Sequence, residues 1–334
     1  MPLGSHKAAL MGAATGGGGT ERAVFGGGSD PSTDAMEYVT ISSTSDVTDF
    51  GDLSANWSNG GSASNGSTDR GLWYAGSWTG IDNDTIEYIT ISTTGDSTNF
   101  GNAIIVNAVH YSQKSTSNGT DDRAVSAGGW CNPCSPVNGQ QNSIDYVTVS
   151  SAGDATDFGN LVTRAKGFAM KSNGTSERGI KYRGSNGQPN CHAAQNSIEY
   201  ITINSASDAT DFGDSGLKGE GLCGVDNGTN DRMCAIGNLS PCDNNVSNVI
   251  EYITISSTGD ATDFGDTTSA GHGSPGATSS GTSERGIWGG GSWGSPIAVR
   301  DQIEYITINS TGNSTDFGDL SAVKAALGAV ANAD

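Results

Sequence analysis

Three sets of residues in this chain have types and spacings that suit chemistry. The first is thiol and imidazole. Cys131-x-x-Cys134, followed one repeat later by Cys191-His192, has the ligand set of a zinc site with three thiolates and one imidazole. The competing use of these thiols is oxidation. Cys223 and Cys234 flank the Asn227-Gly228 turn almost symmetrically, so the spacing predicts a cross-strand disulfide in an oxidising compartment. The four histidines, His6, His110, His192 and His272, lie in separate stretches. They make no nucleophile–base–orienter set, so the chain is expected not to be an enzyme.

The second set is indole. Trp78, Trp130 and Trp293 sit in irregular loops among Gly, Ser and Asn. A flat apolar face with polar neighbours suits a sugar ring. With Tyr182 and His192 they are the candidate ligand-binding residues; the alternative is that each indole folds back as a plug on its own unit. Trp73 and Trp288 share the sequence position of Phe25 and are expected in the core.

The third set is carboxylate. Triplets such as Asp260, Asp263 and Asp266 offer the hard oxygens that calcium prefers. They lack the glycine-hinged spacing of a calcium loop, and alternate strand residues face opposite ways. Turn capping and edge protection is the simpler use, with nonspecific Ca²⁺ binding the most that is expected. No cofactor is predicted.

What must position these residues is a repeat. Tyr38, Tyr88, Tyr146, Tyr200, Tyr252 and Tyr305 are 50, 58, 54, 52 and 53 residues apart. Each is followed twelve residues on by Phe50, Phe100, Phe158, Phe212, Phe264 or Phe317, and preceded by Arg22, Arg70, Arg123, Arg178, Arg232 or Arg285. A period of that length built from β-formers implies propeller blades or a solenoid. Asn-Gly pairs at 65–66, 118–119, 173–174 and 227–228 predict tight hairpins before four of the six Arg strands, which favours blades. Ile86 and Tyr88 face one way and Ile89 and Ile91 the other, the pattern of a sheet buried on both faces. The expected fold is all-β, a six-bladed propeller with four antiparallel strands per blade. Blades are placed at 7–53, 54–103, 104–161, 162–216, 217–267 and 268–320. Glu37, Glu87, Asp145, Glu199, Glu251 and Glu304 precede the tyrosines, and one Arg–acid ion pair per blade is expected.

The two ends nearly repeat one another: Lys7-Ala8-Ala9-Leu10 and Lys324-Ala325-Ala326-Leu327. Six blades need six inner strands, so residues 321–334 read as a surplus strand or short helix, for ring closure or for assembly. The second is favoured, with deletion of 321–334 expected to leave the propeller folded.

The chain has 334 residues and 36 acids against 16 bases, for a net charge of −20. Such a surface repels nucleic acid and anionic lipid. No apolar run is long enough to span a bilayer, and no secretory signal is visible at residues 1–10.

The strand order resembles the kelch repeat. Phe25-Gly26-Gly27, Ala127-Gly128-Gly129 and Trp288-Gly289-Gly290 match its double glycine; Ala75-Gly76, Arg183-Gly184 and Ile236-Gly237 depart from it. A Tyr and a Phe twelve residues apart stand where kelch has Tyr and Trp in close succession. Repeats such as Glu251-Tyr252-Ile253-Thr254-Ile255 leading to Asp263-Phe264-Gly265-Asp266 are also similar to those of predicted tail- or fibre-type structural proteins of marine bacteriophages. That resemblance, over nearly the whole chain, implies a virion or extracellular location. Its implied partners are other virion or filament subunits, further copies of the chain, or a cell-surface glycan. The expected function is structural or receptor-binding through the variable rim loops; the alternative is a scaffold, filament or decoration subunit with no small-ligand site.

Overall fold

The computed structural model describes residues 21–332 except 66–67, 77–83, 105–108, 118–121, 133–138, 173–176, 187–193, 228–230, 238, 241–244, 269–272, 281–283 and 294–297. The described residues form six four-stranded antiparallel sheets arranged as propeller blades, with no helix among them. Blade 2 shows the plan. From the axis outward come strands Gly61–Asn65, Arg70–Tyr74, Thr85–Thr90 and Thr98–Asn102, in that spatial order. No helix is long and apolar enough to cross a membrane among the described residues.

Among the described residues the core is not one mass but six, each lying between two blades. Leu72, Tyr74, Ile86 and Phe100 of blade 2 pack on Ala124, Val147 and Val149 of blade 3. Ile89 and Ile91 turn to the other side, joining Val24, Met36 and Phe50 of blade 1. Both faces of each sheet are therefore dry, as the strand pattern predicts. Phe25, Trp73 and Trp288 are fully buried at their shared position.

The repeated residues form one stack per blade. Each Arg guanidinium lies over its Tyr ring, 4.5 Å from the centroid for Arg22 on Tyr38 and 4.4 Å for Arg178 on Tyr200. Each Tyr meets its Phe edge to face, as Tyr38 meets Phe50 at 6.1 Å and 79°. This overturns the expected Arg–acid pair. In strand register Arg22 lies opposite Thr40, whereas Glu37 lies opposite Phe25, too far along the strands for the charges to meet. The acids instead reach the linker that leaves the preceding blade. Glu87 accepts from the Ser54 amide at 3.2 Å, Glu199 from Val162 at 2.9 Å, Glu251 from Gly216 at 3.0 Å and Glu304 from Thr268 at 3.2 Å.

The Asp-Phe-Gly step is a β-bulge. Met36 pairs with Gly51 and Glu37 with Asp49, leaving Phe50 as the extra residue, and the register shifts at the same place in every blade. Gly51 has φ +142°, and a Cβ there would lie 2.5 Å from the Gly95 carbonyl of blade 2. Glycine is required both by the bulge and by the neighbouring turn. The acids of that turn cap the blade beside them: Asp96 accepts from the Asp52 amide at 3.1 Å and Asp260 from Asp214 at 3.0 Å.

The hairpins before the Arg strands are looser than two-residue turns. Asn65 pairs with Arg70 and Asn227 with Arg232, so four residues intervene. Among the described residues of these turns, the acid before the Arg is left-handed, at φ +55° for Asp69 and +54° for Asp231. Asn65 and Asn227 end the inner strands and are buried.

Of the two chain ends, the C-terminal one closes the ring. Gly328–Ala331 is a strand, not a helix, and pairs with Arg22–Gly26 as the inner strand of blade 1. This corrects the assembly reading of the tail. Val330 is fully buried against Trp73 and Ile89, and Lys324 pairs with Glu37 at 2.9 Å. Gly328 lies against the Trp73 indole, where a Cβ would come within 2.5 Å of Nε1. Aligning Lys7-Ala8-Ala9-Leu10 on Lys324-Ala325-Ala326-Leu327 puts Met11 at that place. A side chain at that place would meet the Trp73 indole.

Candidate functional site

Blade 3 departs from the plan on its rim. Gly128 and Gly129, with φ +59° and +96°, turn the chain out of strand Arg123–Ala127. The loop then forms a short strand, Trp130–Asn132, paired on one side with Val109–Tyr111 and on the other with Gly139–Gln140. Val109–Tyr111 belongs to the linker leaving blade 2. Trp130 lies opposite Tyr111 in this small sheet, and cross-strand partners on one face stack readily. Their rings lie 6.5 Å apart at 27°, and both side chains are half-buried.

Two charges complete the patch. Lys166, from the linker into blade 4, places Nζ 5.8 Å from the Trp130 ring centroid. The same ammonium lies 3.7 Å from Glu220, on the linker into blade 5. Burial, with the nearby Glu220 charge, pushes the Tyr111 hydroxyl above its usual range, so it stays a neutral donor. The patch thus holds an aromatic platform, a cationic donor, an anionic acceptor and a phenol. That is the complement needed for a ring with apolar C–H faces and equatorial hydroxyls.

The other candidates fare differently. Tyr182 is fully buried, and its hydroxyl donates to Glu251 at 2.8 Å; burial raises its pKa. It fills the space between blades 4 and 5 and is not a rim residue, because its strand, Arg178–Ser185, carries the core alternation past the usual strand end. Trp293 ends the short strand Ser292–Trp293 opposite Ala298, at the corresponding edge of blade 6. Trp78 and His192 lie outside the described residues. So do Cys134, Cys191 and His192 of the zinc set. Among the described residues, no three His, Cys, Asp or Glu side chains are grouped to hold a metal.

The expected Cys223–Cys234 disulfide is not formed; both are free and buried. Strand register gives the reason. Cys223 pairs with Ile236 and Cys234 with Val225, so the thiols occupy diagonal places, where Cα atoms stand roughly 7–8 Å apart, beyond disulfide reach. The four-residue turn puts Ile236, two residues beyond Cys234, opposite Cys223. Burial pushes the Cys223 thiol up to about 12, far from the thiolate form.

Tyr111, Lys166 and Glu220 are not singled out by the sequence. All three lie on linkers between blades, and antiparallel order brings these to the same face as the loops between second and third strands. The irregular Tyr111, outside the Tyr–Phe period, was the one available signal. Compared with known proteins, the chain matches no family model and no curated sequence.

Proposed function

We propose that the protein is a non-enzymatic recognition module that binds a saccharide on the rim of blade 3. The observation that carries this is the stacked, half-exposed pair Tyr111–Trp130 beside Lys166 and Glu220. Sugars bind such platforms by laying a C–H face on the indole while charged neighbours meet the hydroxyls. The reading is supported by where the irregularity falls. The stacks and bulges repeat in all six blades, whereas this three-stranded rim sheet belongs to blade 3. Variable loops on a rigid repeat scaffold commonly carry recognition.

The proposal extends to a virion location, with a cell-surface glycan as ligand and other virion subunits as partners; the resemblance to phage structural repeats is what supports it. Positive φ at Gly27, Gly128 and Gly290, where the chain leaves the second strand, supports the kelch likeness. Glycan-array binding by the wild-type chain tests the proposal, compared with Trp130→Ala shown to be folded by its melting curve. Loss of at least tenfold in affinity is expected, about 1.4 kcal/mol. Equal binding by the variant, or no glycan bound by the wild type, overturns it in favour of a scaffold role. The proteome of a purified particle tests the location.

A further inference from the structure

The propeller axis carries a second polar feature, distinct from the rim. Six inner strands surround it, contributed by Gly61–Asn65, Lys114–Ser117, Ala169–Ser172, Cys223–Asn227, Gly276–Ser280 and Gly328–Ala331. Each contacts both of its neighbours around the ring, and their Gly, Ala and Ser residues let the backbones close in. A cavity of about 30 Å³ remains where these strands begin, lined by Gly60, Ser62, Lys114, Ser115, Lys171 and Cys223 among others.

Two lysines meeting there need an explanation in a chain of net charge −20. Elsewhere, the partly or fully buried lysines have carboxylates: Lys181 has Glu199 at 3.2 Å, Lys324 has Glu37 at 2.9 Å and Lys166 has Glu220 at 3.7 Å. On the axis Lys171 pairs with Asp226 at 3.7 Å, and Asp226 also accepts from Ser279 at 3.0 Å. Lys114 has no ion-pair partner among the described residues. The hydroxyl of Ser115, a residue only 4% exposed, has no hydrogen-bond partner among the described residues. Burial lowers the Lys114 pKa; the facing Cys223 opposes that shift and the Lys171 charge adds to it. A half-buried ammonium left unpaired is costly.

We propose that this axial cavity binds one small monovalent anion of halide size, held by Lys114, Lys171 and the Ser115 hydroxyl. All three are donors with no acceptor set against Lys114, a setting that an anion satisfies more fully than water. About 30 Å³ admits one or two water-sized species, which suits chloride or bromide and excludes a tetrahedral oxyanion. The acidic surface opposes anion entry, so the affinity expected is millimolar. Binding favours the protonated Lys114 and weakens as pH rises through its lowered pKa. The site does not depend on the saccharide reading.

Crystals soaked in sodium bromide test it directly, with an anomalous peak expected on the axis beside Lys114 Nζ and Lys171 Nζ. In solution, the wild-type melting temperature should rise saturably by a few degrees in bromide relative to gluconate at equal ionic strength. Lys114→Met should remove that rise, since it keeps the unbranched stem and deletes the charge. No axial bromide peak in wild-type crystals, or an equal rise in Lys114→Met, overturns the proposal.

Discussion

Arg285 of blade 6 donates from its guanidinium to the carbonyl of Ile41 in blade 1, at 3.0 Å. This one contact crosses the seam of the ring, and it is one of six. Arg70 reaches Val149 at 2.7 Å, Arg123 reaches Ile203 at 3.0 Å, Arg178 reaches Ile255 at 3.0 Å and Arg232 reaches Ile308 at 3.1 Å, each on the next blade. Arg22 completes the set by reaching Ser92 at 2.9 Å. Each Arg thus rests on its own blade's Tyr and bonds to its neighbour's backbone. The cation that orders a blade also joins it to the next.

Removing one such Arg should cost both contacts. Arg178→Met is expected to lose about 2–3 kcal/mol, combining a cation–π term with a charged hydrogen bond. Arg178→Lys should lose less, because lysine keeps the charge without the planar fork. Urea unfolding measures both, and a loss under about 0.5 kcal/mol for Arg178→Met would show that the stack is ornamental.

Deleting residues 321–334 should open the ring. The inner slot of blade 1 empties, Val330 leaves Trp73, and Glu37 loses Lys324. The expected result is an unfolded or aggregating chain. Gly328→Ala is the milder version. Its Cβ meets Trp73 Nε1 at 2.5 Å, and overpacking of this kind costs about 1–3 kcal/mol. A truncated chain with unchanged melting would refute strand closure.

The linker acids should differ in cost according to what surrounds them. Glu199 holds Lys181, whose side chain is 1% exposed, while Glu87 binds donors from Ser54 and Ser97 without a lysine. Glu199→Gln leaves a buried ammonium unbalanced, at about 3–5 kcal/mol. Glu87→Gln should cost about 1–2 kcal/mol, the value of hydrogen bonds weakened from charged to neutral. Chemical denaturation of the two variants side by side gives the order, and a larger loss for Glu87→Gln would contradict it.

Asp145 is the one aspartate among the six linker acids, and burial raises its pKa to about 7. The folded state therefore holds its proton more tightly than the unfolded chain, whose value is near 3.8. Stability from this group is full below about pH 4, falls as pH rises and is gone above about pH 7. Glu251 has the opposite sign. Its own burial raises the pKa, but Arg183 and the hydroxyls of Ser215 and Tyr182 outweigh that and lower it. Its contribution is present above its unfolded value and lost as pH falls through the folded one. Asp145→Asn should flatten the decline between pH 4 and 7 in a series of melting curves; an unchanged profile would assign the decline elsewhere.

The amino-acid sequence by itself determined the number of blades and the inward set. Tyr, Phe and Arg recur at blade spacing because every blade solves the same local problem, a sheet buried on both faces and bent by a glycine bulge. Alternation along Ile86–Ile91 is a property of neighbouring residues, so it is legible without the fold. The partners across blades were not. Whether Arg22 meets Glu37 or Ser92 depends on strand register and on a chain segment some 70 residues away. Tertiary packing alone decided that Gly328 passes beneath Trp73, that Tyr182 points between blades and that Cys223 and Cys234 sit on a diagonal. It also decided that Tyr111 stacks on Trp130, and that Lys114 and Lys171 converge on the axis. Each of these is a contact between distant segments, and its geometry follows from how six sheets close into a ring.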